Sequence, residues 1–315
     1  GRPRVGITTT QSRRVRRFQR LTGVRVDAAG LWRGGEVRTQ HGRQRLITLT
    51  PLPADPFIAT IVLPRTRVET AASRSVVHVQ DRWLSLRLSS PPRSVAKALV
   101  VFMTGDGGWH GKDLDAFDHI TEWGYPVAGM SAPDYLDHLG NRAAQLSPRQ
   151  LALDLKDVID TARARLDLRA TTPVLLFGVS RGADLVVVAA AQRTLRSSVR
   201  GVLAVGLTKE EEYVARRRGK RSLAPTPGQT TAMDRAMLFV HPYAALRRVL
   251  APVGVIQATN DEYVPAAVAR RMFGPDTASR RLWAIEARNH SFSDARQELY
   301  AAMRDSLLWV SSHSL

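Results

Sequence analysis

The feature that most constrains this fold is a serine on a turn between an apolar run and a helix-forming run. Residues 173–178 (Pro-Val-Leu-Leu-Phe-Gly) indicate a buried strand, and residues 178–182 continue it as Gly-Val-Ser-Arg-Gly. The sequence of 183–195 then predicts a helix. This context is typical of a nucleophile elbow, where glycines permit a sharp, strained turn and the hydroxyl stands clear of the sheet. We interpret Ser180 as a candidate nucleophile, beside a helix N-terminus that favours anions.

Apolar runs and helical patterns alternate from about residue 75 onward. Strands are predicted at 76–80, 83–88, 98–104, 126–131, 173–179, 199–206, 252–258 and 281–287. Helices are predicted at 114–123, 148–166, 183–195, 264–273 and 293–310. The first two runs alternate apolar and polar residues, as in an antiparallel pair at a sheet edge. Alternating strands and helices predict an α/β fold, a mainly parallel sheet with helices on both faces.

One predicted helix has a clear starting signal. Ser147 is suited to cap the helix, and Pro148 is suited to the first helical position. Gln150 is expected to complete a capping box with Ser147.

The domain organisation predicted from the chain has two parts. Residues 1–70 form a basic, β-containing N-terminal extension, with strand-like runs at 46–50 and 57–63. Residues 71–315 form the α/β domain. Within it, 207–248 contains runs of Glu and Arg and a Pro/Thr/Gly stretch, which predict a lid or insertion.

A serine nucleophile needs a base and a group that orients the base. In open parallel sheets, ligands collect beyond the carboxyl ends of strands. Asp261 and His290 follow the last two predicted strands, and the chain order Ser, Asp, His is that of the α/β-hydrolase triad. We expect His290 to act as general base and Asp261 to orient it. Glu210–Glu212, after the preceding strand, offer the alternative acid.

An oxyanion produced at the serine needs two fixed donors. The first is expected to be the N–H of Arg181, the residue after the nucleophile. The second is expected from the Gly-rich turn after the strand at 98–104, where the N–H of Asp106 or Gly107 is the candidate. A phosphate-binding loop is not expected there, because no Lys-Ser/Thr pair follows.

The composition bears on partners and compartment. The formal net charge of +18 favours anionic partners such as phospholipid headgroups, nucleic acid or acidic glycans, although solvated surface charge is the alternative. With no cysteine, neither disulfides nor thiolate metal sites can form, which suits an oxidising compartment such as the periplasm. No His/Asp/Glu spacing predicts a metal, so we expect neither metal nor cofactor. No run reaches the length of a transmembrane helix.

Four segments together resemble the bacterial VirJ/AcvB family of α/β-hydrolases over roughly residues 75 to 310. They are Gly105-Asp-Gly-Gly-Trp109, Gly178-Val-Ser-Arg-Gly-Ala-Asp184, Asp261 and Asn289-His-Ser-Phe292. The resemblance implies the α/β-hydrolase fold and a Ser180, Asp261, His290 triad. It also implies a periplasmic protein, here without its signal peptide, that hydrolyses aminoacyl-phosphatidylglycerol and releases lysine or alanine. Some family members are described as accessories of type IV secretion.

The chemistry that the resemblance implies needs no metal or cofactor, because the ammonium group activates an aminoacyl ester. We expect acidic groups (Asp106, Asp184 or Glu210–Glu212) to meet that ammonium, and Trp109, Asp184 and Glu211 to bind substrate. Surface arginines are expected to hold the protein at the periphery of an anionic membrane. Secretion-system proteins are possible partners, and nucleic acid is not expected. The chain departs from the family at Arg181, often aromatic there, and in the Arg-rich segment near residue 218.

Two alternatives stay open. The first is a general carboxylesterase or lipase with the same triad. The second is a non-enzymatic secretion accessory that binds protein or nucleic acid through the basic cluster at residues 13–20.

Overall fold

The computed structural model describes residues 72–79, 82–91, 98–139, 146–209 and 240–313, together with the backbone pairing of six strands between residues 25 and 62. The chain divides into two compact units, Gly1–Glu69 and Thr70–Leu315. The strands of the first unit form three antiparallel pairs: β1 (Arg25–Val26) with β2 (Trp32–Arg33), β3 (Glu36–Thr39) with β4 (Gly42–Arg45), and β5 (Thr48–Leu52) with β6 (Asp55–Val62). The two strands predicted in this region correspond to β5 and β6.

The second unit is built on an eight-stranded sheet in the order β14-β13-β12-β11-β9-β10-β8-β7. Its strands are β7 (Ser73–Val79), β8 (Arg82–Ser89), β9 (Leu99–Met103), β10 (Val127–Met130), β11 (Val174–Val179), β12 (Val199–Val205), β13 (Val253–Ala258) and β14 (Arg280–Ile285). Strands β9 to β14 are parallel, whereas β8 runs antiparallel to β10 and β7 antiparallel to β8. The mainly parallel sheet with an antiparallel edge pair is thus confirmed.

Seven α-helices of the described residues cover both faces of this sheet. They are α1 (Gly111–Glu122), α2 (Ala132–Leu139), α3 (Pro148–Arg165), α4 (Arg181–Ala190), α5 (Pro242–Leu246), α6 (Ala266–Phe273) and α7 (Arg296–Ser312). Apolar side chains of α2 to α6 form one core with one face of the sheet, and those of α1 and α7 form a second core on the other. Every residue of α4 is buried. None of the described helices is both long and apolar enough to span a bilayer.

The start of α3 agrees with the sequence only in part. The Ser147 hydroxyl accepts the Gln150 N–H at 3.2 Å, as expected of a cap. The Gln150 amide does not complete a capping box, however, and donates to Asp154 at 2.8 Å. Asp154 is buried and also accepts the Tyr135 hydroxyl at 2.7 Å, so the demand of a buried carboxylate for donors explains the difference.

Two features of the second unit differ from what the sequence predicts. Helix α2 was not predicted, because its eight residues bury only one apolar turn, around Tyr135 and Leu136. The predicted insertion at 207–248 is too wide, since Leu207, Val240 and Leu246 belong to the core. Residues 210–239 of that insertion lie outside the described residues.

Candidate active site

Ser180 lies at the sharp turn between β11 and α4. Its backbone angles are φ 53° and ψ −121°, a conformation that non-glycine residues adopt only under constraint. A Cβ on Gly178 would lie 2.3 Å from the Gly182 carbonyl oxygen, and one on Gly182 would lie 2.3 Å from that of Met103. Both glycines are therefore required for the close approach of α4 to the sheet, and the turn has the geometry expected of an elbow.

Three predicted side chains meet at the carboxyl ends of the strands. The Ser180 Oγ is 2.8 Å from His290 Nε2, and His290 Nδ1 is 2.7 Å from Asp261 Oδ2. Asp261 follows β13, His290 follows β14, and both side chains are buried. With the Nδ1 proton donated to Asp261, Nε2 is oriented to accept the serine proton. The arrangement is suited to nucleophilic acyl transfer.

Several donors hold the Asp261 carboxylate in place. Oδ1 accepts the N–H groups of Tyr263 at 2.8 Å and Val264 at 3.1 Å. Oδ2, besides His290, accepts the side-chain amide of Gln257 at 2.9 Å. Gln257 is itself fixed by donating to the Val264 carbonyl at 2.6 Å. These hydrogen bonds fix the orientation of the Asp261 carboxylate so that Oδ2 faces His290.

The position of His290 is fixed by groups that the sequence did not single out. Its N–H donates to Glu262 Oε2 at 2.6 Å, and Lys112 Nζ donates to its carbonyl at 3.4 Å. Burial, the largest single influence, raises the pKa of Glu262, but the hydrogen bonds from the N–H groups of His290 and Glu262 and the electrostatic interaction with His290 together outweigh burial. The pKa of Glu262 therefore lies below its ordinary value. Burial lowers the pKa of the Lys112 ammonium. Gly206, at φ 64°, lies beneath the imidazole, since a Cβ there would come within 2.7 Å of His290 Cε1.

The Gly-rich turn after β9 lies beside the serine. A Cβ on Gly105 would be 3.2 Å from the Ser180 Cβ. The turn is held by the Gly105 N–H, which donates to Asp113 Oδ1 at 2.9 Å, and burial raises the pKa of Asp113. Gly107 is exposed, and its N–H has no partner among the described residues. The N–H groups of this turn and of Arg181 therefore border the serine, and their role as oxyanion donors stays a prediction.

Arg181 has a side chain with no solvent exposure. Its Nε lies 2.6 Å from Asp106 Oδ1, across the gap between the start of α4 and the Gly-rich turn. No local sequence pattern predicts this ion pair, which links two of the three residues predicted to supply oxyanion donors.

Trp109 packs beneath the turn. Its ring centroid lies 6.0 Å from that of Phe102 and 5.4 Å from that of Phe117, and the Arg87 guanidinium lies 5.1 Å from it. Gly129 allows this packing, because a Cβ there would be 2.4 Å from the indole. The indole anchors the turn to the sheet, and its contact with substrate stays a prediction.

Asp184 does not border the site surface. Its carboxylate is completely buried and accepts the Thr208 N–H at 2.9 Å and the Thr208 hydroxyl. The prediction that Asp184 meets a substrate is therefore wrong, because α4 directs this side chain into the core. Burial raises the pKa of Asp184 to about 8, against the hydrogen bonds from Thr208. Glu211, with its neighbours Glu210 and Glu212, lies outside the described residues.

This raised pKa predicts a pH-dependent stability. A carboxyl with a raised folded-state pKa binds its proton more tightly when folded, so its contribution is present at low pH and lost as pH rises toward about 8. Relative to Asp184→Asn, the wild type should lose on the order of 4 kcal/mol of unfolding free energy between pH 5 and 8. Urea denaturation across this range measures the difference. Asp160→Asn, on the surface of α3, serves as control, and a pH-independent gap for Asp184→Asn would contradict the assignment.

No group of three or more metal-ligating side chains suited to a metal ion occurs among the residues that the structure describes. The site contains a hydrogen-bonded relay of three groups: the Ser180 hydroxyl, the His290 imidazole and the Asp261 carboxylate.

The fold and this relay define the class of the protein: an α/β-hydrolase with the site geometry of the serine hydrolases. Est1E from Butyrivibrio proteoclasticus is similar in structure at 14% identity and a TM-score of 0.59, covering 76% of this chain and 100% of its own. An esterase from Pyrococcus furiosus is similar at 13% identity and a TM-score of 0.54, covering 77% of this chain and 92% of its own. The esterase domain of a Rhodothermus marinus protein is similar at 17% identity and a TM-score of 0.53, covering 76% and 97%. At these identities the likeness establishes the fold.

Residues 97–222 match the family described as bacterial virulence protein (VirJ), which confirms the resemblance drawn from the sequence. The match covers both the Gly-rich turn and the elbow. No curated protein matches the sequence.

Proposed function

We propose that this protein is a serine carboxylic ester hydrolase and that its substrate is the aminoacyl ester of aminoacyl-phosphatidylglycerol. The observation that carries the hydrolase proposal is the relay from Ser180 through His290 to Asp261, with distances of 2.8 Å and 2.7 Å. The substrate is argued from the similarity to the VirJ family over residues 97–222.

In the first half-reaction, the Ser180 Oγ attacks the acyl carbon while its proton passes to His290 Nε2. The carbonyl oxygen becomes an oxyanion beside the N–H groups of Arg181 and Gly107. When the tetrahedral intermediate collapses, the bond to the glycerol oxygen breaks, and that oxygen takes the proton from His290. Phosphatidylglycerol leaves, and the amino acid stays esterified to Ser180.

In the second half-reaction, water attacks the acyl-enzyme and gives a proton to His290. The new tetrahedral intermediate releases the free amino acid, and His290 returns the proton to Ser180 Oγ. Asp261 stabilises the imidazolium in both halves through its hydrogen bond to Nδ1. The residues of the relay thus complete a cycle in which atoms and protons balance.

The substrate ammonium calls for an acidic partner. With Asp184 buried, Asp106 and Glu262 are the acidic groups described beside the relay. The Asp106 carboxylate lies 2.6 Å from Arg181 Nε, on the side of the Gly-rich turn. Glu262 is exposed next to His290, and its lowered pKa keeps it ionised at neutral pH. We therefore assign the ammonium to Glu262.

The location proposed for this activity is the periplasmic surface of an anionic membrane. The net charge of +18 would attract the protein to anionic lipid, and the absence of cysteine is compatible with an oxidising compartment. Secretion-system proteins remain possible partners under the same proposal.

The experiment is an assay of amino-acid release from vesicles that contain lysyl- or alanyl-phosphatidylglycerol. The wild type should release amino acid, and vesicles of unmodified phosphatidylglycerol serve as the background control. Activity on nitrophenyl esters with no release from either aminoacyl lipid would overturn the substrate assignment and favour a general carboxylesterase, the function that the similar esterase structures suggest.

A further inference from the structure

A buried ion pair connects the two sides of the predicted oxyanion hole. Arg181, directly after the nucleophile, is among the largest completely buried side chains of the described residues, and its Nε lies 2.6 Å from Asp106 Oδ1. A guanidinium is costly to bury, and a cation is unfavourable in the first turn of a helix. The Asp106 carboxylate, whose side chain is 39% exposed, lowers both costs through its contact with Nε.

The residues of this pair also carry backbone N–H groups at the site. Arg181 supplies the N–H at the start of α4, and Asp106 adjoins Gly107 in the turn after β9. That turn contains Gly105, Gly107 and Gly108, so its backbone is intrinsically permissive. Stabilisation of an oxyanion requires donors held to within about 0.5 Å of their working positions. A side-chain link from the rigid helix to the permissive turn meets that requirement.

We propose that the Arg181–Asp106 ion pair is a positioning device that fixes the distance between the two donors of the oxyanion hole. Neither side chain is required to touch the substrate, and each acts through the backbone that it holds. This inference rests on the proposed serine hydrolase function and adds to it two positioning residues.

The surrounding charges agree with this role. Asp106 raises and Arg181 lowers the pKa of the nearby Asp184, so the three groups form one charged cluster. Burial holds the pKa of Asp184 at about 8, which leaves that carboxyl mainly protonated at neutral pH. Within the cluster, Asp106 is the acidic group whose carboxylate oxygen contacts the Arg181 guanidinium, at 2.6 Å.

The test is a double-mutant cycle of Arg181→Met, Asp106→Asn and the double variant, assayed with a nitrophenyl ester. Each single variant should lose roughly 10- to 100-fold in kcat, somewhat less than deletion of a donor, with KM changed less than about 3-fold. The double variant should lose no more than the worse single variant, because both changes break one interaction. Lys156→Met and Asp160→Asn, an exposed pair on α3 at 2.5 Å, form the matched control cycle.

A second measurement separates positioning from general structural damage. A trifluoromethyl ketone accepts the Ser180 Oγ at its carbonyl carbon, the proton passes to His290, and the carbonyl oxygen becomes an oxyanion. Its affinity should fall by the same factor as kcat/KM in each variant of the pair, with the fold checked by circular dichroism. If Asp106→Asn does not fold, Arg181→Met and the double variant, neither of which buries a guanidinium at this position, carry the test.

The outcomes are distinct. Variants with unchanged kcat, losses that add in the double variant, or a rise in KM alone would overturn the positioning role while leaving the hydrolase proposal intact. A wild type that hydrolyses no ester and binds no trifluoromethyl ketone would contradict both.

Discussion

Ser180→Ala is expected to lower kcat for ester hydrolysis by about 10⁴-fold or more, because the Ser180 hydroxyl is the group that receives the acyl group. The Ser180 Oγ lies 2.8 Å from His290 Nε2, and the elbow presents it at φ 53°. Alanine keeps the Cβ, so the backbone turn and the fold should persist. The measurement is the steady-state rate on a nitrophenyl ester and on aminoacyl-phosphatidylglycerol vesicles.

Ser85→Ala, at an exposed position on β8, is the matched control and should retain wild-type rates. A Ser180→Ala protein that keeps more than about a tenth of the wild-type kcat would show that the acyl transfer does not pass through this hydroxyl.

Gly178→Ala is expected to be strongly destabilising. The added Cβ would lie 2.3 Å from the Gly182 oxygen, 2.4 Å from its carbonyl carbon and 2.5 Å from the Ala183 nitrogen. These are backbone atoms at the start of α4, which is buried on all sides, so no side chain can move to relieve the overlap. We expect a loss of about 3 kcal/mol or more in unfolding free energy, together with loss of activity as Ser180 shifts.

Urea denaturation followed by circular dichroism measures this effect. Gly107→Ala adds the same methyl where nothing lies within 4 Å, and its stability should stay near that of the wild type. Equal stability of the two variants would mean that α4 does not approach β11 as closely as described.

The elbow and the order of the triad could be predicted because their signals are local. Ser180 is flanked by an apolar strand and a helix-forming run, and Asp261 and His290 each follow a predicted strand. Parallel strands bring their carboxyl ends to one edge, so the three positions converge without any knowledge of side-chain contacts.

The rest of the site depends on contacts between distant segments, which leave no local pattern. Asp184 has the sequence position of an acid near a helix N-terminus, but in the fold its carboxylate is buried against Thr208, which lies after β12. From the sequence alone, Arg181 would be predicted to be an exposed cation. Its burial depends on the turn that contains Asp106, which is distant in sequence. The requirement for glycine at position 206 comes from the imidazole of His290, which is 84 positions further along the chain and leaves no room for a Cβ.

Covalent labelling is the measurement that shows whether Ser180 is a nucleophile activated by His290. The intact protein is treated with a fluorophosphonate, which transfers its phosphonyl group to an activated serine and releases fluoride, and the adduct is located by peptide mass spectrometry. We expect one adduct per chain on Ser180 in the wild type and a labelling rate at least about 100-fold lower in His290→Gln. An unlabelled Ser180, or a His290→Gln protein labelled as fast as the wild type, would contradict this assignment.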